Sequence, residues 1–151
     1  MDHAEIDDYL ARYAQTLTRF DATAGAALWA EPGMIVDDRF SGVLDDRASM
    51  ARGLEQSYPL YRALGLASVG HELLGSTPLT EAIVLLHVRW LFLDADGALL
   101  TDSTAYYIVR RDEDGPHACV CVQVDDASKL QALAADRGID LSAFLPAEPP
   151  A

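Results

Sequence analysis

Two adjacent carboxylates, Asp37 and Asp38, close a short apolar run, Met34-Ile35-Val36. Neighbouring residues in a strand face opposite ways, so the two cannot act together as one paired acid. Asp37 shares the parity of Ile35 and would line whatever space Ile35 lines, whereas Asp38 goes with Val36. A solvated turn fits both carboxylates equally well. His71 and His87 each stand alone on a strand and read as hydrogen-bonded or interface histidines rather than as bases or ligands. His71 and Glu72 point to opposite faces, and no element carries ligand spacing, so no metal site is expected. Cys119 and Cys121, at i and i+2 of a strand, lie about 6.5–7 Å apart along it. That is at or beyond the reach of an unstrained disulfide, so both read as small apolar side chains. The chain carries no glycine-rich phosphate loop, Gly-x-Ser-x-Gly turn or CxxC pair. Nucleotide cofactors and serine-nucleophile chemistry are therefore set aside, and no cofactor is expected.

The elements that must position these residues follow a simple order. Asp2, with Glu5 three positions on, starts a helix over 6–20. In it Ile6, Tyr9, Leu10, Tyr13, Leu17 and Phe20 form one apolar stripe. Asp21 caps a second, short helix running to Leu28-Trp29-Ala30, which Pro32-Gly33 stops. A first short strand covers 34–38. Asp45 or Asp46 caps a third helix containing Met50 and Leu54, and Ser57 precedes a helical piece over 58–64 closed by Gly65. Strands then follow over 66–74, 81–93, 98–110 and 117–124. Ser76-Thr77-Pro78, Asp94-Ala95-Asp96-Gly97 and a longer turn over 111–116 separate them. Asp125 or Asp126 caps a last helix over 127–137, ended by Gly138. Leu141, Phe144 and Leu145 could pack back, and 146–151 reads as a frayed tail.

Strand alternation assigns faces. Val84, Leu86, Val88, Trp90 and Phe92 form a purely apolar face that should meet the helices. The opposite face mixes His87 and Arg89 with leucines. In the last strand Ala118, Val120, Val122 and Val124 share one side, and His117, Cys119, Cys121 and Gln123 the other. A mixed face with Arg on an apolar ground suits a partner surface, so a homodimer through His87, Arg89, Cys119 and Cys121 is expected. Trp29, Tyr58, Tyr61, Trp90 and Tyr106 would make an aromatic pocket wall, and equally an ordinary core.

Helices first and an antiparallel meander afterwards give an α+β domain. Arg12-Tyr13, Asp21, Ala27-Leu28-Trp29-Ala30, Gly42 and the segment Ala105-Tyr106-Tyr107-Ile108-Val109-Arg110-Arg111 before Gly115 appear in an order that resembles the nuclear transport factor 2-like superfamily. The likeness is to its SnoaL-like and ketosteroid-isomerase-like branch and covers about residues 4–125. It implies N-terminal helices packed on a strongly curved antiparallel sheet, a cone-shaped, cystatin-like roll over 1–126. It also implies a dimer. The helical extension over 127–145 lies beyond that core. In the isomerases a helix-one Tyr donates to an oxyanion and an Asp at the end of the first strand shuttles the proton. Tyr13 and Asp37 stand at the matching positions. A carboxylate can take a proton beside a carbonyl while a phenol holds the enolate. Tyr13 also fits a plain core aromatic. The second acid of those enzymes has no counterpart: its place falls near Ala105, and Asp102 lies on the other strand face.

The 151 residues suit one domain, and half are hydrophobic, enough for a core. Twenty-four acidic against eleven basic residues give a net charge of -13, a field that repels nucleic acid and anionic membranes. No stretch reaches the roughly 18 apolar residues of a membrane span. The polar start, Met1-Asp2-His3-Ala4-Glu5, is unlike a secretion signal, and a cytoplasmic protein with its native start is expected. Three functions fit: a domain binding a small hydrophobic ligand in an apolar pocket; a cofactor-independent isomerase, lyase or hydrolase using Asp37 and Tyr13; or a structural dimer with a closed core.

Overall fold

The computed structural model describes residues 1–144 of the chain. Readings for Leu145 and the tail over 146–151 lie outside the described residues. Helix α1, His3–Thr18, begins where the Asp2 carboxylate accepts the Glu5 N–H at 2.8 Å. Its Ile6, Tyr9, Leu10 and Tyr13 are buried on one stripe, as the spacing requires. Asp21 caps α2, Ala22–Ala26, by accepting from the Ala24 N–H.

The second helix ends earlier than the sequence suggests, because the sheet takes over the backbone that follows. The Leu28 carbonyl accepts from the Ala118 N–H at 3.0 Å, and Trp29 already opens strand β1, Trp29–Val36. Pro32-Gly33 is thus inside a strand rather than a helix stop. The register against the neighbouring strand shifts between Trp29 and Met34, a place where a missing N–H costs no ladder bond. Gly33 is required by contact: a Cβ there would sit 2.7 Å from the Trp29 ring and 2.8 Å from the Met50 methyl. A strand absent from the sequence reading, β2, Ser41–Leu44, pairs antiparallel with β1. Helix α3, Arg47–Glu55, is capped by Asp46, and α4, Tyr58–Leu64, ends at Gly65 with φ 90°.

The meander consists of β3, Ser68–Pro78; β4, Ile83–Leu93; β5, Leu99–Asp112; and β6, Gly115–Gln123. The six strands form one sheet in the order β2-β1-β6-β5-β4-β3, with β1 parallel to β6. Ser76-Thr77-Pro78 does not turn: these residues pair with Leu86, Leu85 and Val84, after a bulge at Leu74. The turn falls later, where the Leu79 and Thr80 N–H groups donate to the Ile83 carbonyl. Between β5 and β6 the turn shrinks to Glu113-Asp114, with Gly115 at φ 106°.

The apolar face of β4, Val84 through Phe92, is buried against the helices. Face assignment in β6 needs a correction. Register shifts between Ile108↔Val120 and Val109↔Ala118, leaving Cys119 as a bulge. The extra residue resets the alternation, so Ala118 and Cys121 both point into the core. Helix α5, Asp126–Arg137, and the 3₁₀ turn Leu141–Ala143 pack on α4. Leu60 and Leu64 meet Leu130, Leu133, Ala134, Leu141 and Phe144, and Arg137 donates to the Leu64 carbonyl.

Candidate ligand cavity

The curled sheet, α1, α3 and α4 enclose a cavity of about 420 Å³. Tyr13 and Leu17 enter from α1, Ile35 from β1, Leu44 from β2, Leu54 from α3 and Tyr61 from α4. Trp90 and Phe92 of β4, with Ser103 and Tyr107 of β5, form the floor; Phe40 and Val43, both largely exposed, stand at the rim. Gln123 and Asp126 close the side where β6 passes into α5.

Two indole–phenol bonds order the floor. Trp29 Nε1 donates to the Tyr13 hydroxyl at 3.1 Å, and Trp90 Nε1 donates to that of Tyr107 at 3.0 Å. Tyr13 stacks on Trp90 with ring centroids 5.4 Å apart and meets Tyr107 edge-on at 6.0 Å. Tyr61 stacks on Phe92 at 5.6 Å. Burial drives the Tyr13, Tyr61 and Tyr107 hydroxyls well above the usual phenol range. They remain neutral, able to donate a proton in a hydrogen bond but not to act as anionic bases. Burial likewise pushes the Cys121 thiol up to about 12, so it is an inert thiol facing Tyr107 across the ladder.

The carboxylate at this cavity is Asp126, which the sequence reading treated only as a helix cap. The two acids at the start of α5 divide their tasks. Asp125 accepts from the Thr104 N–H at 2.7 Å and from its hydroxyl at 3.3 Å, tying α5 to β5. The Asp126 side chain makes no hydrogen bond or ion pair among the described residues. Burial, and then the charge of Asp125, push it up to about 6.

Asp37 is elsewhere. Strand β1 ends at Val36, and the Asp37 carboxylate folds back to accept the Arg39 N–H at 2.8 Å, an Asx turn. Asp37 borders an outer crevice with Asp38, Arg39 and Asp125, while Gln123 and Asp126 line both that crevice and the cavity. The pairing of Asp37 with Tyr13 across one cavity is therefore not formed. Of the five expected wall aromatics, Tyr61 and Trp90 line the cavity and Trp29 stands behind Tyr13. Tyr58 is buried edge-on against Phe20. Tyr106 is on the opposite sheet face, stacked on His87 at 4.2 Å.

The family model for NTF2-like protein (DUF6841) matches residues 4–126. The chain belongs to this family. No curated protein matches it. Solved NTF2-like structures share the fold. A domain of unknown function with a cystatin-like fold from Nostoc punctiforme superposes with a TM-score of 0.65 at 14% identity, covering 95% of this chain and 91% of that one. An NTF2-like protein from Novosphingobium aromaticivorans gives 0.62 at 23%, covering 97% and 90%. A ketosteroid isomerase-like protein from Erwinia carotovora atroseptica gives 0.60 at 12%, covering 80% and 93%. At such identities the likeness shows the NTF2-like fold alone. The matched segment ends at Asp126, the first residue of α5.

The outer sheet face of this NTF2-like cone carries the other expected residues. Arg89 donates to Asp102 at 2.7 Å and to Glu72 at 3.3 Å, and Lys129 of α5 donates to Asp102 at 2.7 Å. The hydrogen bonds from Lys129 and then Arg89 hold the Asp102 carboxyl below its usual range. Cys119 is half-buried at its bulge, while Cys121 lies in the core and so cannot join an interface on this face. His71 pairs with Asp7 of α1 at 2.9 Å. Among the described residues no group of three or more His, Cys, Asp or Glu is placed to hold a metal, and no helix is long and apolar enough to cross a membrane.

Proposed function

We propose that this chain is a small-molecule-binding domain whose ligand occupies the cone. The observation that carries this reading is an open cavity of about 420 Å³, within the usual size range of ligand pockets. A closed structural core would instead have been filled to packing density. The wall is mostly apolar, and its polar groups include the hydroxyls of Tyr13, Tyr107 and Ser103, the amides of Gln56 and Gln123, and the Asp126 carboxylate. Ser103 is buried on the floor, so Ser103→Phe should fill the cavity. A ligand that binds the native fold raises its melting temperature. Small aromatic compounds should do so for the wild-type chain and lose the effect in Ser103→Phe; an equal shift in both proteins would refute the cavity as the site.

A homodimer through the outer sheet face is a second proposal. The stacked His87–Tyr106 pair, with Tyr106 and Val122 exposed beside half-buried Leu85, Ile108 and Val120, supports it. Exposed apolar side chains on this face, beside an Arg89–Asp102–Glu72 cluster whose charges are already paired, suit a second copy of the same chain.

A further inference from the structure

We infer that the cavity recognises an organic cation, a protonated amine on an aromatic or apolar body, whose nitrogen pairs with the Asp126 carboxylate. The inference rests on the cavity being the ligand site and adds the charge of what enters it. Among the described residues that line the cavity, Asp126 is the one charged side chain; no Lys, Arg or His reaches the wall. The Asp126 carboxylate is half-buried and has no partner among the described residues, whereas its neighbour Asp125 is satisfied by Thr104. Asp126 opens α5, where the helix dipole favours the ionised form. At neutral pH the carboxylate is still mainly ionised, and it has no counter-ion at the edge of a mostly apolar space. The same cavity is lined by the rings of Tyr13, Tyr61, Trp90 and Phe92, and aromatic rings attract cations. A net charge of -13 concentrates cations at the mouth and repels anions. An anionic ligand would meet Asp126 with no base to offset it.

Three probes of matched shape separate the alternatives: phenethylamine, phenethyl alcohol and phenylacetate, titrated calorimetrically into the full chain at neutral pH. The expected order is amine, then alcohol, with phenylacetate not binding. The amine should lead the alcohol by about ten- to a hundredfold, the range of a charge-assisted hydrogen bond. Asp126→Asn, isosteric and uncharged, should remove that preference while keeping alcohol binding. Asp38→Asn, which deletes an exposed charge of the same sign, should leave it intact. Equal binding of amine and alcohol, or an amine preference that survives in Asp126→Asn, overturns the cation inference and leaves the cavity reading standing. Equal losses in the two variants assign the preference to the overall field and overturn it too. Failure of all three probes at millimolar concentration overturns both readings.

Discussion

Ile35 lines the cavity and Asp37, two residues further on, does not. Same-face parity holds only while the strand continues, and β1 stops at Val36. Asp37 then serves its own turn through the Arg39 N–H. Asp37→Asn keeps an acceptor there, so stability should change by less than about 0.5 kcal/mol. The ligand-induced melting shift should also be unchanged. A loss of that shift without unfolding would return Asp37 to the site.

Asp126 makes a pH prediction whose sign is unusual for a carboxylate. Its folded pKa, about 6, lies above the ordinary aspartate value, so between these pH values the folded state holds the proton more tightly. Its contribution to stability is then fully present at and below the unfolded pKa and is lost as pH rises through about 6. The groups around it, Tyr13, Tyr61, Tyr107 and Cys121, stay protonated throughout this window. Asp126→Asn should therefore stabilise the chain by about 1–3 kcal/mol at pH 7.5 and by little at pH 4. Urea titrations at the two pH values read the difference; equal effects at both would contradict the burial of this carboxylate.

Tyr13→Phe deletes the acceptor of the Trp29 indole, which is 1% exposed. A buried donor left unsatisfied costs about 1–3 kcal/mol. Chemical denaturation should show that loss, with the phenyl ring still stacked on Trp90. A neutral outcome would mean that water reaches the indole through the cavity.

Gly33→Ala places a methyl 2.7 Å from Trp29 and 2.8 Å from Met50, and both side chains are almost completely buried. Neither can move without disturbing the core, so a loss of about 1–3 kcal/mol is expected. A melting temperature equal to that of the wild type would show that the Trp29 corner is loosely packed.

Tyr106→Asp tests the dimer. A carboxylate in the middle of the outer face, beside His87, would be buried twice in a two-fold interface. The wild-type chain should elute with the mass of a dimer in sizing with light scattering, and the variant with that of a monomer. A wild-type monomer at micromolar concentration would refute the interface.

Much of the architecture was legible because the signals were local. The caps at Asp2, Asp21 and Asp46, the left-handed glycines 65 and 138, and the strict alternation of β4 all stand where the chain implies. The errors occur where a distant partner decides. Pro32-Gly33 has turn chemistry, yet β6 recruits that segment as a strand. Cys121 changes face because one residue bulges opposite β5, which no period in the sequence announces. Asp126 carries the ordinary signature of a helix start. The docking of α5 brings it to the cavity, and that docking depends on Asp125 meeting Thr104 and on Leu60, Leu64 and Ala134 meeting across the fold.

The parallel pairing of β1 with β6 also sets an order of assembly. Tyr9 accepts the Ala118 N–H from 109 residues away while donating to the Leu28 carbonyl, so the start of the chain is fastened by nearly its last strand. On a ribosome adding about 5–20 residues per second, the apolar stripe of α1 waits roughly 5–20 s for that fastening. Over that interval Tyr13 can already meet Trp90 of β4, but the Tyr9 hydroxyl lacks the Ala118 N–H it accepts. A message truncated before Gly115 would leave β1 without its parallel partner and the Tyr9 hydroxyl without the Ala118 N–H, so the two ends of the fold would not be joined.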